Sequence, residues 1–206
     1  MDRISRVWLV QEPFSIGPFG GFNGVAHTYF VFDFEDQPPV AISVEARRER
    51  GEAFNVLRGL LNQFELIYIW ASEQDVTVRR AIVEQRELYM YPLTISVEAE
   101  RTLFLQLAEA SRDLESHPRF YNTLTNNCTS ELARAANRVK PGAIPPNIAL
   151  VFPGYSDELL YERGVFPNDV SLDQLTRRYA ISDIVRATYE REDFSRALRM
   201  ELASRE

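Results

Sequence analysis

Two runs rich in aromatic and β-branched residues, 25–34 and 40–45, flank the stretch Glu35-Asp-Gln-Pro-Pro39, and this arrangement constrains the fold more than any other part of the chain. Such runs favour extended backbone. The polar and proline residues between them favour a turn. The segment is therefore expected to close as an antiparallel hairpin. With its turn centred near Asp36, residues equally distant from the turn oppose one another, which sets His27 against Glu45 with both side chains on one face. An offset of two would replace Glu45 with Ser43 or Arg47, and an odd offset would send the two side chains to opposite faces.

The rest of the chain alternates similar signals. Residues 6–10 read as a short strand, 14–24 as a loop rich in Gly, Pro and Phe, and 65–71 and 86–93 as further strands. The stretch 54–64 is ambiguous, a short helix interrupted at Gly59. Residues 97–114 place apolar side chains at helical spacing and are followed by Pro118, which suits a helix end. Leu132, Ala135 and Ala136 repeat at helical spacing up to Val139. The segments 155–163, 171–179 and 194–202 read as short helices. The expected class is α+β, an antiparallel sheet with helices gathered around it. The 206 residues, 45% of them hydrophobic, suit a single domain over 1–206. Its core would span about 5–140, with 141–206 as a helical wrap, because the hydrophobic runs there are short.

A net charge of −7 does not provide the basic surface that nucleic acid requires, so nucleic acid is not an expected partner. One cysteine rules out an internal disulfide, and with only two histidines beside it a structural zinc site is not expected. No metal or cofactor is expected. No stretch reaches the roughly 20 apolar residues of a membrane span. The opening residues lack a hydrophobic segment of signal-peptide length. Two situations fit: a cytosolic protein, or a soluble piece of a longer exported or membrane-bound chain.

The chemistry centres on Tyr121-Asn-Thr-Leu-Thr-Asn-Asn-Cys128-Thr-Ser-Glu131. Asn126 and Asn127 are good helix N-caps, and apolar periodicity begins just after Cys128, so the thiol is expected in the first helical turn. Unpaired N–H groups and the helix dipole there favour a thiolate and can hold an oxyanion. A buried inert cysteine is the plain alternative. The candidate bases are His27 and His117. His117 stands in Ser-His-Pro-Arg at a helix exit and reads as solvated or capping. His27 stands in an apolar strand, where an imidazole needs a partner, and Glu45 is the candidate to orient it. Arg47, Arg48 and Arg50 read either as a grip on a substrate phosphate or carboxylate or as a solvated hairpin end among Glu49 and Glu52. Arg79 and Arg80 are open to the same two readings.

These stretches resemble a known family, the Lnb N-terminal periplasmic domain. The similarity lies in Val-Ala-His27-Thr, Ile42-Ser-Val-Glu45-Ala-Arg47-Arg48-Glu, Phe64-Glu-Leu-Ile-Tyr68, Leu88-Tyr-Met-Tyr-Pro-Leu93, Phe120 through Thr129, and Pro153-Gly-Tyr-Ser-Asp. The resemblance implies a papain-like, NlpC-like thiol fold in permuted order, histidine before cysteine, and a periplasmic or cell-envelope location. It also implies lipoprotein N-acylation, with Cys128 carrying an acyl-thioester and His27 acting as base. Arg47, Arg48, Asn127 and Tyr121 are then the candidate substrate-binding residues. The expected partners are an acyl donor such as a phospholipid and an amine acceptor such as a lipoprotein N-terminus, with contact to a membrane surface through flanking segments. Two other functions fit the same residues: a soluble thiol amidase or peptidase using the same dyad, and a binding module without chemistry.

Overall fold

The computed structural model describes residues 3–14, 24–52 and 54–205. The loop expected over 14–24 lies outside the described residues except at its two ends. Six strands, β1 (Ile4–Pro13), β2 (Ala26–Phe34), β3 (Val40–Arg47), β4 (Phe64–Ser72), β5 (Tyr89–Pro92) and β6 (Phe120–Tyr121), form one sheet in the order β5-β1-β2-β3-β4-β6. Every neighbouring pair is antiparallel. Among the described residues, eight α-helices accompany it: α1 (Val56–Leu60), α2 (Glu73–Val78), α3 (Val97–Ser116), α4 (Cys128–Val139), α5 (Ser156–Glu162), α6 (Leu172–Arg178), α7 (Ser182–Thr188) and α8 (Phe194–Ala203). The class is α+β, as the strand and helix patterns indicated.

The hairpin adopts the expected register. Tyr29 pairs with Ser43, Phe30 with Ile42, Val31 with Ala41 and Phe32 with Val40. The β2–β3 ladder then stops, although β2 stays paired with β1 as far as Ala26 and β3 stays paired with β4 as far as Arg47. The two strands thus part at the His27–Glu45 end, and the N-terminus of α4 sits at this opening, in contact with both. The opening positions the site.

Side-chain alternation gives the sheet two covered faces. Phe32 and Trp70 pack edge-on to Phe104 of α3, at 5.1 and 5.5 Å between ring centroids, so α3 and α4 cover the face that carries the even-numbered residues of β2. The opposite face carries Tyr29 and Val31 and meets α2 and the C-terminal helices. There Tyr29 Oη lies 3.4 Å from Thr77 Oγ1, and Trp8 meets Tyr179 edge-on. The C-terminal segment also covers the β5 edge, which would otherwise present unpaired backbone groups. Tyr179 O accepts from Met90 N–H, and Leu88 O accepts from Ile181 N–H. Phe166 stacks on Tyr91 at 4.7 Å, and its buried ring joins the cluster that contains Val7, Phe32 and Leu107.

Several elements differ from expectation. Gly59 does not interrupt α1 but lies inside it, where a β-carbon would collide with Thr123 Oγ1. The strand at 86–93 contracts to four residues. Helix α2, capped by Ser72, continues into a π-helical turn, Arg79–Val83, and neither was anticipated.

Candidate functional site

Helix α4 begins at Cys128 because Asn127 caps it. Asn127 Oδ1 accepts from Ser130 N–H at 2.8 Å, and Ser130 Oγ accepts from Asn127 N–H at 2.9 Å, a reciprocal capping box. Asn127 Nδ2 donates to Thr123 O and to Leu150 O at 2.9 and 2.8 Å, anchoring the cap to the loop before it and to the segment after α4. The cap satisfies the third N–H of the helix, and the N–H groups of Cys128 and Thr129 have no intrahelical acceptor by the geometry of a helix start. Cys128 is buried, at 3% exposure, but its side chain borders a cleft of about 670 Å³ that His27, Ser43, Glu45, Arg80 and Tyr121 also line.

His27 enters from the opening between β2 and β3 and lines the same cleft as Cys128, near enough for its imidazolium to attract the thiolate. Its Nε2 lies 2.7 Å from Ser43 Oγ and 3.2 Å from Glu45 Oε1. Ser43 Oγ donates its own hydrogen to Glu45 Oε1 at 2.7 Å, so it accepts from Nε2–H. That bond fixes the tautomer of the neutral imidazole, with its proton on Nε2. Ser43 and Glu45 can act together because they stand two apart on one strand and share a face.

Glu45 is held from behind. Arg80, on the π-helical turn, donates through Nη2 to Glu45 Oε1 and through Nη1 to Glu12 Oε2, and its guanidinium lies over the Tyr29 ring at 5.2 Å. Arg86 Nε stands 3.4 Å from Glu12 Oε1. Glu12 is opposite His27 across the β1–β2 ladder and is 3% exposed, so this carboxylate depends on its arginines for charge compensation.

The charges reinforce one another. Burial opposes the imidazolium of His27, but attraction to Glu45 and to the thiolate outweighs burial and Arg80 together, and its pKa is pushed up to about 10. Burial alone would raise the Cys128 thiol. The charge and hydrogen bond of His27, the N–H of Thr28 and the hydroxyl of Thr129 overcome it and hold the thiol below its ordinary value. Burial would likewise raise Glu45, yet His27, Arg80 and Ser43 hold it well below the usual carboxylate range. Both shifts act in the direction of a thiolate–imidazolium pair backed by a carboxylate, the charge state required of a sulfur nucleophile.

The structure brings Cys128, His27 and Glu45 together, with Tyr121, Arg47 and Arg48 on the walls of the same cleft. Burial and the negative charges of Cys128 and Glu45 hold the Tyr121 phenol protonated. Arg47 is paired with Glu65 at 2.6 Å, and Arg48 is exposed. Asn127 is not among the cleft-lining residues, since its amide is occupied by the cap. His117 caps the end of α3, with Nδ1 2.9 Å from Asp113 Oδ1, away from the site. Ser43 entered the sequence reading only as an alternative to Glu45, and Glu12 and Arg86 did not enter at all. A lone acid closing the apolar strand Val7-Trp-Leu-Val-Gln-Glu12 was the available signal, because a buried carboxylate needs a cation. Among the described residues, His, Cys, Asp and Glu side chains do not gather in the groups of three or more that hold a metal ion.

A family model described as the Lnb N-terminal periplasmic domain matches residues 4–151. The chain belongs to that family. The span shared with the Lnb N-terminal periplasmic domain contains all six strands, α4 and every residue of the network from Glu12 to Cys128, whereas α5 to α8 lie beyond it. The family description assigns the domain to the periplasm. Among the described residues, no helix is long and apolar enough to cross a membrane. No curated protein and no solved structure matches the chain.

Proposed function

We propose that this periplasmic domain is a thiol acyltransferase of permuted papain-like architecture that carries its acyl group as a thioester on Cys128. The observation that carries the reading is a buried sulfur at the start of α4 that shares a cleft with an imidazole whose Nε2 is held by Ser43 and Glu45. The chain order, histidine on a strand before cysteine on a helix, agrees with permutation.

In the first half-reaction the Cys128 thiolate attacks the carbonyl carbon of an acyl ester, and a carbon–sulfur bond forms. The N–H groups of Cys128 and Thr129 stabilise the oxyanion. The carbon–oxygen bond breaks as the His27 imidazolium gives its proton to the departing alkoxide. In the second, an amine attacks the thioester carbonyl, His27 takes the proton from nitrogen, the amide bond forms, and sulfur leaves as thiolate. Glu45 and Ser43 keep the imidazole in one orientation throughout, the part a carboxylate takes in a triad. Arg47, Arg48 and Tyr121 are placed to contact the polar part of the donor, for which a phospholipid ester is the natural chemical class. The acceptor is an amine such as a lipoprotein N-terminus.

Incubating the protein with a p-nitrophenyl acyl ester and then measuring intact mass tests the reading. A single acyl adduct is expected, absent in Cys128→Ala and discharged by an added primary amine as amide. Release of free acid with no amide would make the protein a hydrolase. Equal labelling of wild type and Cys128→Ala, or no labelling of either, would remove the chemistry and leave a binding module.

A further inference from the structure

On the other face of the sheet from the cleft lies a second cavity, of about 550 Å³ and partly open to solvent, lined by Leu9 and Phe30 of the sheet, by α3 and α4, and by the segment that follows α4. Its lining is largely aliphatic, and the charged members among the described residues are the exposed Lys140 and Arg163. The size of this groove falls within the range of ligand pockets. Water is a poor occupant, because an aliphatic wall offers it few hydrogen bonds.

Two polar groups on the wall point to the occupant. Thr28 and Thr129, each the residue directly after a member of the dyad, line this cavity, and their hydroxyls are 3.0 Å apart. Thr129 Oγ1 is also 3.8 Å from Cys128 Sγ. One hydroxyl therefore separates the sulfur from an aliphatic chamber, while the cleft on the sulfur's other side is lined by Glu, Arg and His. A molecule using both sides has a polar portion, a reacting carbonyl at the sulfur and a long hydrocarbon portion.

We propose that the cavity holds the hydrocarbon chain of the acyl group carried on Cys128, so that the protein selects long-chain acyl donors. The assignment rests on the thioester reading. Ala99 of α3 and Ala136 of α4 both line the chamber, and a larger side chain at either would shorten the space without touching the dyad.

The test uses the full chain with acetyl, octanoyl and palmitoyl p-nitrophenyl esters, and cis-parinaric acid as a fluorescent chain. In wild type, the efficiency of Cys128 acylation should climb with chain length, by roughly fourfold per methylene until the chamber is full. Ala136→Phe should cut palmitoylation by about tenfold or more and leave acetylation unchanged, and Ala99→Phe, on a different helix, should do the same should the first variant fail to fold. Cys128→Ala should bind cis-parinaric acid, and adding Ala136→Phe should abolish that binding. Acetylation of Cys128 without chain-length preference and without parinaric binding would overturn the chamber while leaving the nucleophile intact. Parinaric binding without acylation by any ester would overturn the thioester, and with it the assignment of the chamber to an acyl group on sulfur.

Discussion

Arg80 joins two carboxylates, half-buried Glu45 beside His27 and buried Glu12 on the neighbouring strand. Removing one partner of such a pair leaves an uncompensated charge out of water, which is more costly than never having had the pair. Arg80→Gln is therefore expected to destabilise the protein by about 3–5 kcal/mol in urea unfolding. Arg86, whose nearest contact to Glu12 is longer and whose side chain is more exposed, compensates only in part. The same substitution frees Glu45 from its rear contact, so the imidazole is held less firmly and acylation should slow even where the variant remains folded. A change below about 1 kcal/mol would show that the network is solvated in solution and does not behave as a buried one.

At the scale of elements, the site depends on where α4 begins. Asn127→Asp keeps an oxygen able to cap Ser130 N–H but removes both Nδ2 bonds, to Thr123 O and Leu150 O, and adds a negative charge next to the sulfur. The thiol pKa is expected to rise, read as slower iodoacetamide alkylation at neutral pH. An unchanged rate would mean that the helix start does not set the thiolate. Gly59→Ala acts from outside: its β-carbon would press on Thr123 Oγ1, which bonds Val56 O in α1 and belongs to the loop leading to Cys128. Overpacking of this kind costs about 1–3 kcal/mol and should lower both the melting temperature and the alkylation rate. Local signals made these elements legible in advance. The aromatic hairpin set its own register, and Asn127 ahead of an apolar repeat marked the helix start. The Ser72-Glu-Gln-Asp75 cap of α2 was equally local, although surrounding charges made the stretch look like a solvated surface. The contacts of Arg80 could not be read, because they join residues 35 and 68 positions apart through a π-helical turn with no distinct local pattern.

At the scale of the whole molecule, the dyad ties stability to pH. In the unfolded chain the histidine titrates at about 6.5 and the cysteine at about 8.5. In the folded protein the thiol lies lower and His27 is pushed up to about 10. Above about 8.5 the unfolded pair holds none while the folded imidazolium keeps its proton until about 10, so stability falls as pH rises. The lowered thiol acts in the opposite sense: wherever the folded thiol has lost its proton and the unfolded one has not, stability rises with pH. Unfolding free energies of wild type minus those of a Cys128→Ala/His27→Gln double variant should decline as pH rises from about 8.5 to about 10. A flat difference across the range would mean that the two groups do not interact in the folded state. The C-terminal helices matter at this scale too, since Phe166, Leu175 and Leu198 are buried in the cluster that supports the strands of the site.

The central claim is that Cys128 and His27 exist as an ion pair, and a pH titration of the ultraviolet thiolate absorbance, with Cys128→Ala as the blank, measures it most directly. The account predicts thiolate absorbance already present at neutral pH, moving to an ordinary alkaline titration in His27→Gln. A wild-type thiol that titrates at about 8.5, and does so equally with His27 replaced, would contradict it.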